Sequence, residues 1–261
     1  MTPGLDRLET RLRASRAAGR KLLVPYLTGG LPGWTDGVRA AAANGADVIE
    51  IGLPFSDPVM DGPVIQEASQ RALDAGATPV SILEEARSLD VEVPLVVMCY
   101  YNTIHHPGHR RFASMLTSAG ICGAIVPDLP LEESGPWCAA ADSAGLSTIM
   151  LAAPTAPDER LPLVCARARG FVYSVGLLGV TGERTSLAAT ATALARRLKA
   201  VTDVPVIVGV GVSNAEQAVE ACQVADGVVQ GASVVRRFMA DGADGVGDYV
   251  AEVRQALDSH R

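Results

Sequence analysis

Residues 46–66 read ADVIEIGLPFSDPVMDGPVIQ. Val48, Ile49 and Ile51 are β-branched and surround Glu50, so the segment reads as a buried strand carrying a carboxylate near its end. Desolvating that carboxylate is costly. The cost is met either by a cationic partner, such as an arginine inside a barrel, or by a raised pKa, which suits a group that handles protons near neutrality. The loop that follows is stiff: Pro54, Pro58 and Pro63 each fix a φ angle, while Gly52 and Gly62 allow close backbone approach. Ser56, Asp57 and Asp61 are therefore displayed on a braced segment. Glu50 and Asp61 are too far apart for one helix face, but a loop folding back over the strand end holds the second carboxylate near the first. Two carboxylates in unlike environments can divide acid, base and electrostatic roles.

Outward from this stretch the same unit recurs. KLLVPYLT, ADVIEIG, PLVVMCYY, GAIVPDL, LSTIMLA, GFVYSV, PVIVGVG and DGVVQGA read as eight strands. Helical patterns lie between them at 34–44, 64–75, 79–89, 109–118, 132–143, 158–168, 187–201 and 214–223, with a last one near 245–258. A helix-ending glycine precedes a strand at AAANGAD, SAGICGA, SAGLST and ARARGF. Apolar strands alternating with helices imply a parallel sheet covered by helices, and eight units in 261 residues favour a closed (β/α)8 barrel. Length alone also admits two small domains, but no break in composition argues for them, so residues 1–261 are expected to form one barrel domain. Leu5, Leu8 and Leu12 place an amphipathic helix over residues 4–18, expected to cap one end of the barrel; 64–75 is an extra helix after the second strand.

Barrels of this kind carry their chemistry at the C-terminal ends of the strands. There the sequence offers Glu50, then Tyr100, Tyr101 and Asn102, Asp128, Tyr173, Gly209, Gly211 and Ser213, and Gln230 and Gly231. GVTGERTS, GVGVSNAEQA and GASVVRRF follow strands six, seven and eight, the last two each leading into a helix. Each alone reads as a tight turn; together they point to a phosphate held by backbone N–H groups and a helix N-terminus. Lys21 precedes the first strand and Lys199 lies in a helix, so neither lysine is placed to form a Schiff base. His105, His106 and His109 share one loop, which reads as solvated in preference to a metal site because no further ligand has first-shell spacing.

The formal net charge of -7 disfavours nucleic acid or an anionic membrane as partner. The N-terminal residues lack a signal-peptide pattern and no stretch has the length of a membrane span, so a soluble, cytoplasmic protein is expected. Five widely spaced cysteines in apolar surroundings read as reduced thiols.

EIGLPFSDPVMDGPVIQ, joined in order by VPYLTGGLP, CYYNTI, VPDLPLEES, YSVGLLGVTG and VIVGVGVSNAEQA, resembles the α chain family of tryptophan synthase over essentially the whole length. The resemblance implies a lyase without cofactor or metal that cleaves indole-3-glycerol phosphate to indole and glyceraldehyde 3-phosphate. It also implies a pyridoxal-phosphate β chain as partner, in a heterotetramer of two α and two β chains. By the same resemblance Glu50 and Asp61 are the catalytic carboxylates, Tyr100, Tyr173 and Thr181 bind substrate, and Gly182, Gly211, Gly231 and Ala232 hold the phosphate. Other functions on the same scaffold are a stand-alone lyase of another pathway, a non-catalytic regulator, and a phosphosugar isomerase. The chain departs from the family pattern at Ala232, where a serine is usual, with Ser233 one place later, and also at Thr103 and at Gly176-Leu177-Leu178. Residues 54–62 and 176–190 are expected to close over the substrate, with Arg184 the tryptic site of the ligand-free chain.

Overall fold

In the computed structural model residues 5–176, 189–209 and 211–260 are described. Among them, eight parallel strands close into a barrel in chain order: β1 (Leu22–Thr28), β2 (Ile49–Gly52), β3 (Leu95–Met98), β4 (Ile121–Ile125), β5 (Ser147–Ala152), β6 (Val172–Val175), β7 (Val206–Gly209) and β8 (Gly227–Gln230). Helix α1 (Leu5–Ala17) precedes the barrel. The connections carry α2 (Trp34–Ala43), α3 (Pro63–Asp74), α4 (Pro79–Arg87), α5 (Tyr101–His105), α6 (His109–Ser118), α7 (Gly135–Ala144), α8 (Leu161–Arg167), α9 (Ala189–Lys199), α10 (Ala215–Cys222) and α11 (Ala232–Ser259). The (β/α)8 barrel, the N-terminal helix and the extra helix after the second strand form as expected.

The four glycines read as helix stops, Gly45, Gly120, Gly145 and Gly170, all have φ between 74° and 104°, where a side chain would be strained. At the C-terminus the helix expected to follow GASVVRRF and the last one, expected near 245–258, form a single element that begins at Ala232, directly after β8, where Val234, Val235 and Phe238 bury one face. Gly242, at φ 62°, kinks it. The short α5 was not anticipated; the Asp128 carboxylate accepts the Tyr101 N–H at 2.8 Å and fixes its first turn.

Two packed layers hold the barrel. Outside, the helices cover the strands; inside, Leu22, Val24, Val48, Val96, Phe171 and Ile207 fill the lower bore. Leu8 and Leu12 of α1 join that inner cluster, so the helix seals the end from which the strands start. Leu5, read with them, has its side chain outside the described residues.

The same end carries two buried aspartates. Asp47 accepts the Leu23 N–H at 2.9 Å and Arg20 Nε at 2.6 Å, tying β1 to β2. Asp226 accepts the Val206 N–H at 2.8 Å and Lys199 Nζ at 2.9 Å, tying β7 to β8. Lys21 donates to the Ala225 carbonyl at 3.3 Å. Both lysines are thus engaged at the closed end, away from the strand C-termini. No helix among the described residues is long and apolar enough to cross a membrane.

Candidate active site

Glu50 sits within β2, in register with Tyr26 of β1 and Val96 of β3. It is only 3% exposed, and its Oε2 has no hydrogen-bond partner among the described residues. Burial raises its pKa to about 8, and the negative charge of Asp61 pushes the same way. Of the two ways to accommodate a buried glutamate, the fold takes the raised pKa.

Asp61, also 3% exposed, is delivered by the loop between β2 and α3. Four anchors set that loop. Leu53 N–H donates to the Met98 carbonyl at 2.9 Å, Phe55 stacks on Tyr100 with ring centroids 5.1 Å apart, Met60 N–H donates to Tyr100 Oη at 3.1 Å, and Gln66 Nε2 donates to the Asp61 carbonyl at 2.7 Å. Burial raises the Asp61 pKa to about 6, while a hydrogen bond from the Tyr100 hydroxyl pulls it down. Tyr100, expected to bind substrate, holds the Asp61 loop through these contacts. Ser56 and Asp57 pair with each other at 2.6 Å on the exposed side of the loop.

Both carboxylates line one pocket of about 720 Å³, counting its open mouth, at the C-terminal end of the barrel. Its polar end is formed by Gly211, Ser213, Gly231 and Ala232, and its apolar wall includes Met98, Ile125, Leu151 and Val229. Tyr26 and Tyr173 also line it. Two strand glycines make room for them: a Cβ at Gly52 would lie 1.8 Å from Tyr26 Oη, and one at Gly209 would lie 2.3 Å from Tyr173 Oη. Burial raises both hydroxyl pKa values, helped by Asp61 at Tyr26 and by Glu50 at Tyr173, so both remain neutral donors.

Of the residues named from the sequence, the structure brings Glu50, Asp61, Tyr173, Gly211, Gly231 and Ala232 into this one pocket. Thr181 and Gly182 lie outside the described residues, as does most of the 176–190 segment with Arg184. Tyr26 was missed. Its signal was its place in VPYLT on the strand beside Glu50, but an aromatic residue in a strand reads first as core. The apolar wall was equally silent, since inward positions on a barrel strand carry apolar residues whether or not they face a ligand.

The two helix starts at the polar end differ. At α10 the Asn214 side chain accepts the Gln217 N–H at 2.9 Å, so that N-terminus is capped from within. At α11, which follows Gly231, no side-chain hydrogen bond caps the first turn. Its leading N–H groups are the ones available to an anion. The pocket thus combines a carboxyl group protonated at pH 7, a carboxylate, two hydroxyl donors and an open helix N-terminus. Separately, His109 Nε2 is 2.9 Å from Tyr101 Oη, within an aromatic group that includes His105 and Trp137.

The family description "Tryptophan synthase alpha chain" matches residues 12–258. The chain is 46% identical to the tryptophan synthase alpha chain of Thermobifida fusca, covering 89% of this chain and 88% of that one. It is 43% identical to that of Streptomyces coelicolor over 98% of both. Among solved structures it superimposes on Mycobacterium tuberculosis tryptophan synthase in space group F222 with a TM-score of 0.90, at 36% identity, covering 96% of this chain and 98% of that one.

Proposed function

The chain belongs to the tryptophan synthase alpha chain family, and from that premise we propose that Glu50 and Asp61 divide the acid–base work of its reaction. It is a carbon–carbon lyase that cleaves indole-3-glycerol phosphate to indole and glyceraldehyde 3-phosphate, a step of tryptophan biosynthesis. The observation that carries the division of labour is the pair of buried carboxyl groups in one pocket, with pKa values of about 8 and about 6. At pH 7 Glu50 holds a proton and Asp61 does not.

Glu50 delivers its proton to C3 of the indole ring, which turns the ring into an electron sink. The positive charge reaches the ring nitrogen, where the Asp61 carboxylate stabilises it. The Glu50 carboxylate then takes the proton of the hydroxyl on the carbon joined to C3. That carbon becomes the aldehyde as the bond to C3 breaks, and the bonding pair returns to the ring. Glu50 ends protonated, as it began, and no imine is needed. The phosphate of the substrate lies at the polar end, on Gly211, Gly231 and the first turn of α11. Tyr173 faces the reacting centre, and Tyr100 acts through the Asp61 loop.

The partner in this reading is a tryptophan synthase β chain, in a heterotetramer of two α and two β chains. Val59, 65% exposed on the Asp61 loop, gives such a partner an apolar contact next to the catalytic segment. The five cysteines form no disulfide among the described residues, which fits the cytoplasmic setting of the reading.

Glu50→Gln and Asp61→Asn test the assignment. Each keeps the side chain's size and removes its titration, so turnover should fall by about 10²–10⁴-fold while affinity for a phosphate-bearing product analogue stays within about twofold. Near-normal indole release by either variant removes that residue from the mechanism.

A further inference from the structure

We infer that Tyr249, on the far half of the C-terminal helix, is a positioning residue for the phosphate end of the pocket. The turn between β7 and α10 supplies Gly211, Val212 and Ser213 to that end. Its Ser213 is gripped on both sides from outside the pocket. The Ser213 N–H donates to Gln217 Oε1 at 2.7 Å, and the Ser213 carbonyl accepts from Tyr249 Oη at 2.9 Å. Tyr249 is 5% exposed, and its ring lies under the Arg237 guanidinium, 5.7 Å from centroid to Cζ.

The grip depends on the shape of α11. Its first residue, Ala232, forms the opposite side of the polar end; beyond the kink at Gly242 the same helix carries Tyr249 to the β7 turn. One element therefore sets both sides of the anion site. Ala232 brings a methyl group and no hydroxyl, so contact from this position is by backbone N–H. Backbone donors cannot swing to follow a displaced ligand, which makes the spacing between the β7 turn and the start of α11 decisive.

The inference rests on the reading that phosphate binds at this end. In the full chain, Tyr249→Phe keeps the ring and deletes the hydroxyl. It should raise KM for indole-3-glycerol phosphate, and the Kd of glycerol 3-phosphate used as probe, by about 3–10-fold, in line with one lost hydrogen bond. The kcat and the affinity for indole should stay within about twofold. Gln217→Leu should weaken the probe similarly, and the double variant should lose less than the product of the two, because both act on one residue of the turn. A lowered melting temperature with KM and probe affinity unchanged would make Tyr249 merely structural and overturn the inference. Equal weakening of indole and glycerol 3-phosphate would also overturn it, by showing general loosening. If the unaltered chain binds glycerol 3-phosphate no better than glycerol, the phosphate reading itself falls and takes the inference with it.

Discussion

Glu50 keeps its proton to about pH 8 in the folded chain, against an ordinary glutamate value of 4.5. A raised folded-state pKa means the native chain binds a proton that the unfolded chain has released. The associated stability is fully present below about pH 4.5 and is lost as the pH rises to about 8. Glu50→Gln cannot be deprotonated, so its stability relative to the unaltered chain should improve by about 4 kcal/mol between pH 5 and pH 9. Urea unfolding at the two pH values checks this; an equal difference at both would mean that the carboxyl group is not strained by burial. The sequence disclosed that a carboxylate on an apolar strand must be compensated. It could not say how, because a cationic partner would come from another strand, and the register that puts Tyr26 beside Glu50 is a three-dimensional fact. Asp61 was legible in its stiff loop, whereas the hydrogen bond from the Met60 N–H to the Tyr100 hydroxyl joins two connections and has no local signal.

At the scale of elements, the strand ends are shaped by exchange of bulk between neighbours. Gly52 ends β2 and leaves the space that the Tyr26 hydroxyl of β1 occupies; Gly209 of β7 does the same for Tyr173 of β6. Gly52→Ala places a methyl group on the Tyr26 ring, so the ring must move into the pocket or the strand must shift. The expected cost is about 1–3 kcal/mol of stability, with turnover reduced further because the displaced ring crowds the space beside Glu50. Full activity and unchanged denaturant midpoint in Gly52→Ala would show that the space at Gly52 is not needed. Apolar runs and glycine stops made most strands and helices readable, since both follow from local chemistry. Two features are not local. The short α5 depends on Asp128, a residue from the next connection, and the helix that GASVVRRF leads into runs on, through the kink at Gly242, into the 245–258 pattern.

Over the whole molecule the barrel has two unlike ends. At one, α1 inserts Leu8 and Leu12 while Asp47 and Asp226 tie adjacent strands through charged hydrogen bonds. At the other, the strands open onto the pocket with its two carboxyl groups. The aspartate hydrogen bonds that tie adjacent strands thus lie at the end away from the pocket in which Glu50 is buried. The barrel itself was legible from eight repeats of one pattern, and the reaction from motifs that resemble a family. The opposite protonation of two nearby carboxyl groups was not, because it arises from burial and from their mutual field. The pH dependence of indole release from indole-3-glycerol phosphate by the purified chain tests that opposition most directly. Activity should rise as Asp61 ionises near pH 6 and fall as Glu50 loses its proton near pH 8, the two limbs belonging to the coupled pair. The alkaline limb is the diagnostic one, since a phosphate monoester titrates at about 6 and cannot produce it. A rate that falls away above pH 8 is the predicted result; a rate that stays level from pH 7 to pH 9.5 would contradict Glu50 as the proton donor.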